Sequence, residues 1–451
     1  VPVTVMNMTG STAKLTMFMD FNNDGDFSDP GEMTSANVAS GINGVINLTI
    51  AVPVDAIYNT DLGVRFRFST DAAASMSSVG AAPNCEVEDY LAQVMSYDHG
   101  DLADSGAGTS SGNYNTNNSD NGPSHKIISG LKIGNIVDAE GDGNQTALAN
   151  GDDITTIDDE DGVTLPMFIA GHSSTVPVTV MNMTGSDAKL TMFIDFNNDG
   201  DFLDAGEMSS TTVSDGTNGT VNLNIAVPVT ATINTNVGVR FRLSTDFAAS
   251  MLPTGTAPNG EVEDYITQIM GYHLGDFADS GAGTGAGNYE TQYASNGPSH
   301  KIINGLKIGA MEDAEGDGNQ SALANGDDNT TLDDEDGVTL PMFVAGESAT
   351  VPVSVLNTTG TAAKLTMFMD FNNDGDFNDP GEMTSANVPN GTNGTINLNL
   401  PVPVNAVLNT DVGIRFRLST DATASMNSTG AAPDGEVEDY LAKVKGYEIG
   451  D

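Results

Sequence analysis

Oxygen donors at alternate positions are the first chemistry this sequence offers. Asp20, Asn22, Asp24 and Asp26 place side-chain oxygens around Gly25, and Glu32 returns a carboxylate after the turn. The set recurs as Asp195, Asn197, Asp199, Asp201 and Glu207, and again as Asp370, Asn372, Asp374, Asp376 and Glu382, at steps of 175 residues. Such a loop suits a hard cation: Ca2+ takes about six to eight oxygen ligands, whereas zinc favours the Cys and His that the loop lacks. Glu32 stands at the thirteenth position, and the loop leaves the strand-like run 15–19, so the spacing is not that of an EF-hand. The competing reading is an acidic turn that merely joins two strands.

A second acidic region lies between the copies. From Asp98 to Asp161 there are thirteen acidic residues against Lys126 and Lys132, in clusters at Asp138, Glu140 and Asp142, at Asp152 and Asp153, and at 158–161. The next copy holds Asp313, Glu315 and Asp317 in the same places. A featureless linker would vary in length, and this one does not. Two readings fit: a calcium-binding connector that sets the angle between units, or a hydrated acidic spacer with only residues 127–133 forming a strand pair.

Charge sets the class of partner. With 62 acidic and 15 basic residues the formal net charge is −47, which repels nucleic acid and anionic lipid and calls for counter-cations. The single cysteine, Cys85, excludes an internal disulfide framework, leaving metal as the candidate staple. No apolar run reaches the roughly 18 residues of a membrane span, so no membrane insertion is expected in this segment. The second and third copies carry a lead-in, 161–170 and 336–345, that the first lacks. The sequence therefore reads as a window cut from a longer array, whose missing opening strand comes from upstream chain or from a neighbouring copy.

Hydrophobic period decides the fold class. Val1/Val3/Val5, Leu15/Met17/Met19, Ile46/Leu48/Ile50 and Val64/Phe66/Phe68 alternate with polar residues, and Gly, Asn, Asp and Ser fill the gaps. This predicts an all-β chain of tandem β-sandwich modules joined by acidic, calcium-binding connectors, with one short helical turn at 72–76. The boundaries are a truncated sandwich at 1–96, a connector at 97–159, a sandwich at 160–271, a connector at 272–334, a sandwich at 335–446 and the start of another connector at 447–451. All six arginines fall at Arg65/Arg67, Arg240/Arg242 and Arg415/Arg417. Confinement to one strand predicts that their guanidinium forks grip carboxylates, with Glu86 and Glu88, and their copies Glu261 and Glu263, as the partners. The alternative is two solvent-facing arginines, worth under about 1 kcal/mol as pairs.

No residue set marks a catalyst. His125 and His300 recur in Pro-Ser-His-Lys without a nucleophile beside them and read as surface or hinge residues, and the Gly-rich stretches lack a Walker lysine. The run 260–265, Gly-Glu-Val-Glu-Asp-Tyr, its copy 435–440, and 85–90 with Cys85 in place of glycine resemble the signature of the GEVED domain family. The Asp-Phe-Asn-Asn-Asp-Gly-Asp-Phe loops and the segments at 275–280, 313–318 and 334–338 are similar to those that accompany it. The resemblance implies β-sandwich modules of long bacterial surface or secreted proteins, without catalysis. Two roles follow: a structural stalk or filament in which repeats supply length and calcium stiffness, partnered by adjacent repeats and other copies, or an adhesin whose modules bind glycan or protein by avidity. The absence of tryptophan and the uniform connectors favour the first.

Overall fold

The computed structural model describes residues 1–53, 56–151, 159–281, 283–326 and 334–446. The acidic positions Asp152, Asp153 and Asp158 and the segment 447–451 lie outside them. The described chain is mostly β, in three repeated sheet modules. In the second module one sheet runs in the order Phe168–Ile169, Glu261–Met270, Asn236–Ser244, Ala188–Ile194, Met208–Val213. The other runs Thr217–Ala226, Ser173–Asn182, Leu131–Ile133. The third module repeats this arrangement. In the first module Pro2–Asn7 pairs with Ile42–Asn47, opposite a four-stranded sheet ending on Cys85–Ala92.

The period-two pattern is what builds these layers. Val176, Val178 and Val180 from one sheet meet Leu190, Met192, Val237, Val239, Phe241 and Leu243 from the other, all fully buried in one core. The expected helical turn forms at Ala72–Ser75, where the Asp71 carboxylate accepts from Ala74 N at 3.1 Å; its copies are Phe247–Ser250 and Ala422–Ser425. The lead-in forms less strand than its pattern suggested. Only Phe168–Ile169 is strand, parallel to Ile269 and Met270, and Val163 makes one bridge to Val178. Pro166 between them has no N–H to extend the ladder.

The described residues of 97–159, set apart by composition, meet both neighbours, and Asn59 of the preceding module donates to Ile127 O at 2.9 Å. Tyr97–His99 pairs with Ser124–Lys126, which also runs parallel to Thr256–Ala257 of the following module. Leu131–Ile133 pairs with residues 180–182 and contributes Leu131 and Ile133 to that module's core. The strand pair expected within 127–133 therefore does not exist. Only its Leu131–Ile133 end enters a sheet, and Gly130, at φ +83°, turns the chain against Met183 just before it. The next such segment behaves alike and also reaches backwards: Ile302 and Ala314 lie in the second module's core, while Leu306 and Ile308 lie in the third's.

Candidate metal centres

The repeated loop holds its shape with its own carboxylates. Asp20 is buried and accepts from Asp24 N at 3.1 Å and Gly25 N at 3.0 Å. Glu32, also buried, accepts from Phe21 N at 2.9 Å and Asp29 N at 3.2 Å. Asn22 accepts from Asp24 N and donates to Asp29 at 2.7 Å. Asn23 at φ +56° and Gly25 at φ +93° make the reversal. Facing outward, Asp24, Asp26 and Asp29 bring one oxygen each within 4.8 Å of one another. Of the sequence-predicted set the structure thus converges Asp24 and Asp26, adds Asp29, and places Asp20 and Glu32 as braces beneath them. Asp195, Asn197, Asp199, Asp201 and Glu207 repeat these hydrogen bonds, as do Asp370, Asn372, Asp374, Asp376 and Glu382. Burial pushes the Glu207 and Glu382 carboxyls up to about 7.

In the second and third modules the preceding connector covers this loop. Tyr114 donates to Asp195 at 3.0 Å and accepts from Gly238 N at 2.7 Å, while its ring stacks on Phe202 with centroids 5.4 Å apart. Gly200 sits so close to the carbonyl oxygens of Ser110 and Asn113 that a Cβ there would lie 2.1 and 2.4 Å from them.

The deeper acidic centre lies where connector meets module. Asp98, Glu140 and Asp159 bring carboxylate oxygens within 4.8 Å of one another, and Asp98 and Asp159 are buried. Glu261, fully buried, faces the same group: it accepts from Ile133 N at 2.5 Å with Oε2, while its Oε1 has no hydrogen-bond partner. Asp98 in turn accepts from Val262 N at 2.5 Å. Burial, and then the charges of Glu261 and Asp159, drive the Asp98 pKa well above the carboxylate range. Burial, then Asp138 and Asp98, push Glu140 up to about 12. Carboxylates packed this way in a dry site are costly unless a cation or protons neutralise them. An all-oxygen donor set suits a hard divalent ion.

The predicted connector residues divide at this centre. Glu140 is in it, and Asp138 touches its edge through Asp138 N to Asp159 at 3.0 Å. Asp142 instead accepts from Asn118 N at 2.6 Å and Gly143 N at 3.0 Å. In the next copy Glu315 is in the centre, Asp313 N donates to Asp334 at 3.4 Å, and Asp317 accepts from Tyr293 N at 2.8 Å. Asp98, Asp159 and Glu261 were missed as ligands, though the 158–161 cluster and the 260–265 motif were signals. The second copy departs at one position: His273 stands where Asp98 does. His273 is buried with Nε2 2.6 Å from Asp334 and 3.9 Å from both Glu315 and Glu436. Burial opposes its charge, but Glu315 and Asp334 raise its pKa well above the usual value.

The arginines grip a carboxylate, though not the predicted one. Arg240 makes two 2.7 Å bonds to Asp264, both side chains fully buried, and Arg242 donates to His125 Nε2 at 2.8 Å. The antiparallel register sets Arg240 opposite Asp264 and Arg242 opposite Val262, so Glu261 and Glu263 project from the other face. His125 is accordingly no surface or hinge residue. It is buried and held neutral, with Nδ1 donating to Asn259 O at 3.1 Å; burial and then Arg242 drive its pKa well below the usual value.

Every residue of the 260–265 motif meets the connector or its continuation. Gly260, at φ +106°, passes so close that a Cβ would lie 1.7 Å from Leu243 O and 3.2 Å from His125. Glu261 and Val262 bond Ile133 and Asp98 as above, and Glu263 accepts from Gly162 N at 2.9 Å. Asp264 accepts from Asp101 N at 2.9 Å and Leu102 N at 3.0 Å, and Tyr265 accepts from Val163 N at 3.3 Å. The GEVED domain model matches residues 14–93, 189–268 and 364–443, together more than half of the chain. The chain belongs to the GEVED domain family. In this GEVED array the signature strand is thus the dock for the segment that precedes the matched domain.

No curated protein sequence matches the chain. Among solved structures, similar ones include a 1.5-MDa bacterial ice-binding adhesin (10% identity, 99% of this chain and 90% of that one, TM-score 0.23). The calcium-binding tandem CBD12 of CALX1.1 aligns at 8% identity over 62% of this chain and 96% of that one, TM-score 0.17. Red sea bream transglutaminase aligns at 10% identity over 64% of this chain, with a TM-score of 0.18, and the alignment spans only 31% of that enzyme. At such scores no property is transferred from them.

Proposed function

We propose that this region is a non-catalytic, calcium-stiffened spacer in a long extracellular stalk or filament of a bacterial surface or secreted protein. The observation that carries this reading is the pair of cores shared by one segment at the second joint. Ile302 and Ala314 pack into the module behind while Leu306 and Ile308, four and six residues beyond Ile302, pack into the module ahead. A flexible tether would leave these side chains in water. Packing on both sides instead fixes successive modules, so length grows with repeat number.

Calcium enters at the Asp98, Glu140, Asp159 and Glu261 oxygens, and the exposed Asp24, Asp26 and Asp29 oxygens form a second, looser cation site. The buried carboxylates also hold the backbone of Ile133 and Val262, so their mutual repulsion, once the ion leaves, acts directly on the strand that ties the joint. Small-angle scattering of the full chain with calcium and with excess chelator tests this. A rigid rod in calcium that loosens in chelator is expected. A flexible bead-chain profile in both conditions overturns the stalk, and a saccharide or surface protein bound by the chain establishes the adhesin in its place.

A further inference from the structure

The two joints differ in one ligand position. At steps of 175 residues the sequence places Asp98, His273 and Glu448, the last outside the described residues, and only the second supplies nitrogen. We infer that the His273, Glu315 and Asp334 centre, completed by Glu436, is a site for a first-row transition metal of the Zn2+ class, distinct in selectivity from the all-oxygen centre at Asp98. His273 Nε2 and one oxygen each of Glu315 and Asp334 lie within 4.8 Å of one another, and all three residues are buried. Glu436 is fully buried, and its Oε1, without a hydrogen-bond partner, points at the same Nε2 from 3.9 Å.

The chemistry follows from the donors. Zinc accepts imidazole nitrogen and carboxylate oxygen at about 2.0–2.2 Å, in tetrahedral sets of three protein ligands and a fourth group. Two ligands of such an ion stand about 3.3 Å apart. The present separations of 2.6, 3.9 and 3.9 Å from Nε2 bracket that value, so small side-chain shifts admit the ion. The Nε2 proton shared with Asp334 leaves to solvent as the metal–nitrogen bond forms. Calcium gains little from an imidazole, so replacing Asp98's oxygen by His273's nitrogen turns the selectivity toward the transition series. Backbone amides orient two of the carboxylates: Glu315 accepts from Leu274 N, and Glu436 from Ile308 N, while His273 Nδ1 has no hydrogen-bond partner.

The inference shares with the spacer reading only the location at a joint, and its test is separable. Zn2+ is titrated calorimetrically into the full chain in millimolar Ca2+, which saturates the oxygen sites. One tight Zn2+ equivalent is expected, with a shift of the His273 ring nitrogen resonance. His273→Asp, which restores the first joint's residue, should weaken that equivalent on the order of a hundredfold and add one Ca2+ equivalent. Asp98→His should create a second Zn2+ equivalent, and it stands as the deciding variant if His273→Asp fails to fold. No calcium-resistant Zn2+ equivalent in the wild type, or one untouched by His273→Asp, overturns the inference while leaving the calcium-dependent rod intact.

Discussion

Asp264→Ala separates a structural joint from a decorated strand, because the chain carries its own control. Asp264 accepts four hydrogen bonds: two at 2.7 Å from Arg240 and one each from Asp101 N and Leu102 N of the preceding connector. Truncation leaves a buried guanidinium whose remaining partners are Asn115 O, Pro253 O and Thr116 Oγ1. Breaking a buried ion pair from one side costs about 3–5 kcal/mol, and the two orphaned amides move the cost toward the upper end. In the first module the same pair, Arg65 and Asp89, is 29% and 57% exposed, and Asp89→Ala should cost about 1 kcal/mol or less.

Hydrogen exchange on the full chain reads the two sites separately. A cost of about 4 kcal/mol corresponds to a rate ratio on the order of a thousand, and one of about 1 kcal/mol to less than about tenfold. Peptides covering residues 97–104 should therefore exchange on the order of a thousandfold faster in Asp264→Ala, while Asp89→Ala changes residues 62–69 by less than about tenfold. Equal effects at the two sites, or unchanged exchange at 97–104, would refute the claim that Asp264 is the clasp.

The remaining predictions concern the ion, the loop and acid. Calorimetry in calcium should show a higher melting temperature than in excess chelator, since an ion bound only by the folded state stabilises it by mass action; equal values count against both cation centres. Tyr114→Phe deprives Asp195 and Gly238 N of a buried partner and should cost about 1–3 kcal/mol by urea denaturation, whereas a neutral effect means the connector does not brace the loop. His125 has its folded pKa depressed from 6.5, so its contribution is complete above that value and is lost as pH falls. As pH falls below about 6.5 the wild type should lose more stability than His125→Gln, which keeps an acceptor for Arg242; parallel pH curves would show that the histidine is not held neutral.

Much of this architecture was legible because it was periodic. The 175-residue step, the alternation along 176–180 and 237–243, and the confinement of arginine to one strand each express a geometric repeat that sequence displays directly. What escaped notice depends on register. Whether Arg240 meets Glu263 or Asp264 turns on a one-residue offset between two strands, and side chains on a strand carry no label for which face is dry. The connector escaped for a different reason: Tyr97–His99, Ser124–Lys126 and Leu131–Ile133 are three residues each, too short for a period to show. Asp98, Glu140 and Asp159 are far apart in the chain, and only the fold brings them together.

The division of the signature strand into two faces explains why cations are needed on one of them. Its three carboxylates all hold backbone of the connector or its continuation: Asp264 holds Asp101 and Leu102, Glu261 holds Ile133, and Glu263 holds Gly162. On the Asp264 face the Arg240 guanidinium supplies the balancing charge at 2.7 Å. On the other face, among the described residues, no lysine or arginine forms an ion pair with Glu261 or Glu263 in the second module. Burial drives both carboxyls well above their usual pKa, so they keep a proton or share a bound cation. In the third module His273 comes within 3.9 Å of Glu436, the counterpart of Glu261. A basic group stands there at the one joint whose oxygen donor has been exchanged, so the position of Asp98 and His273 marks where the missing positive charge belongs.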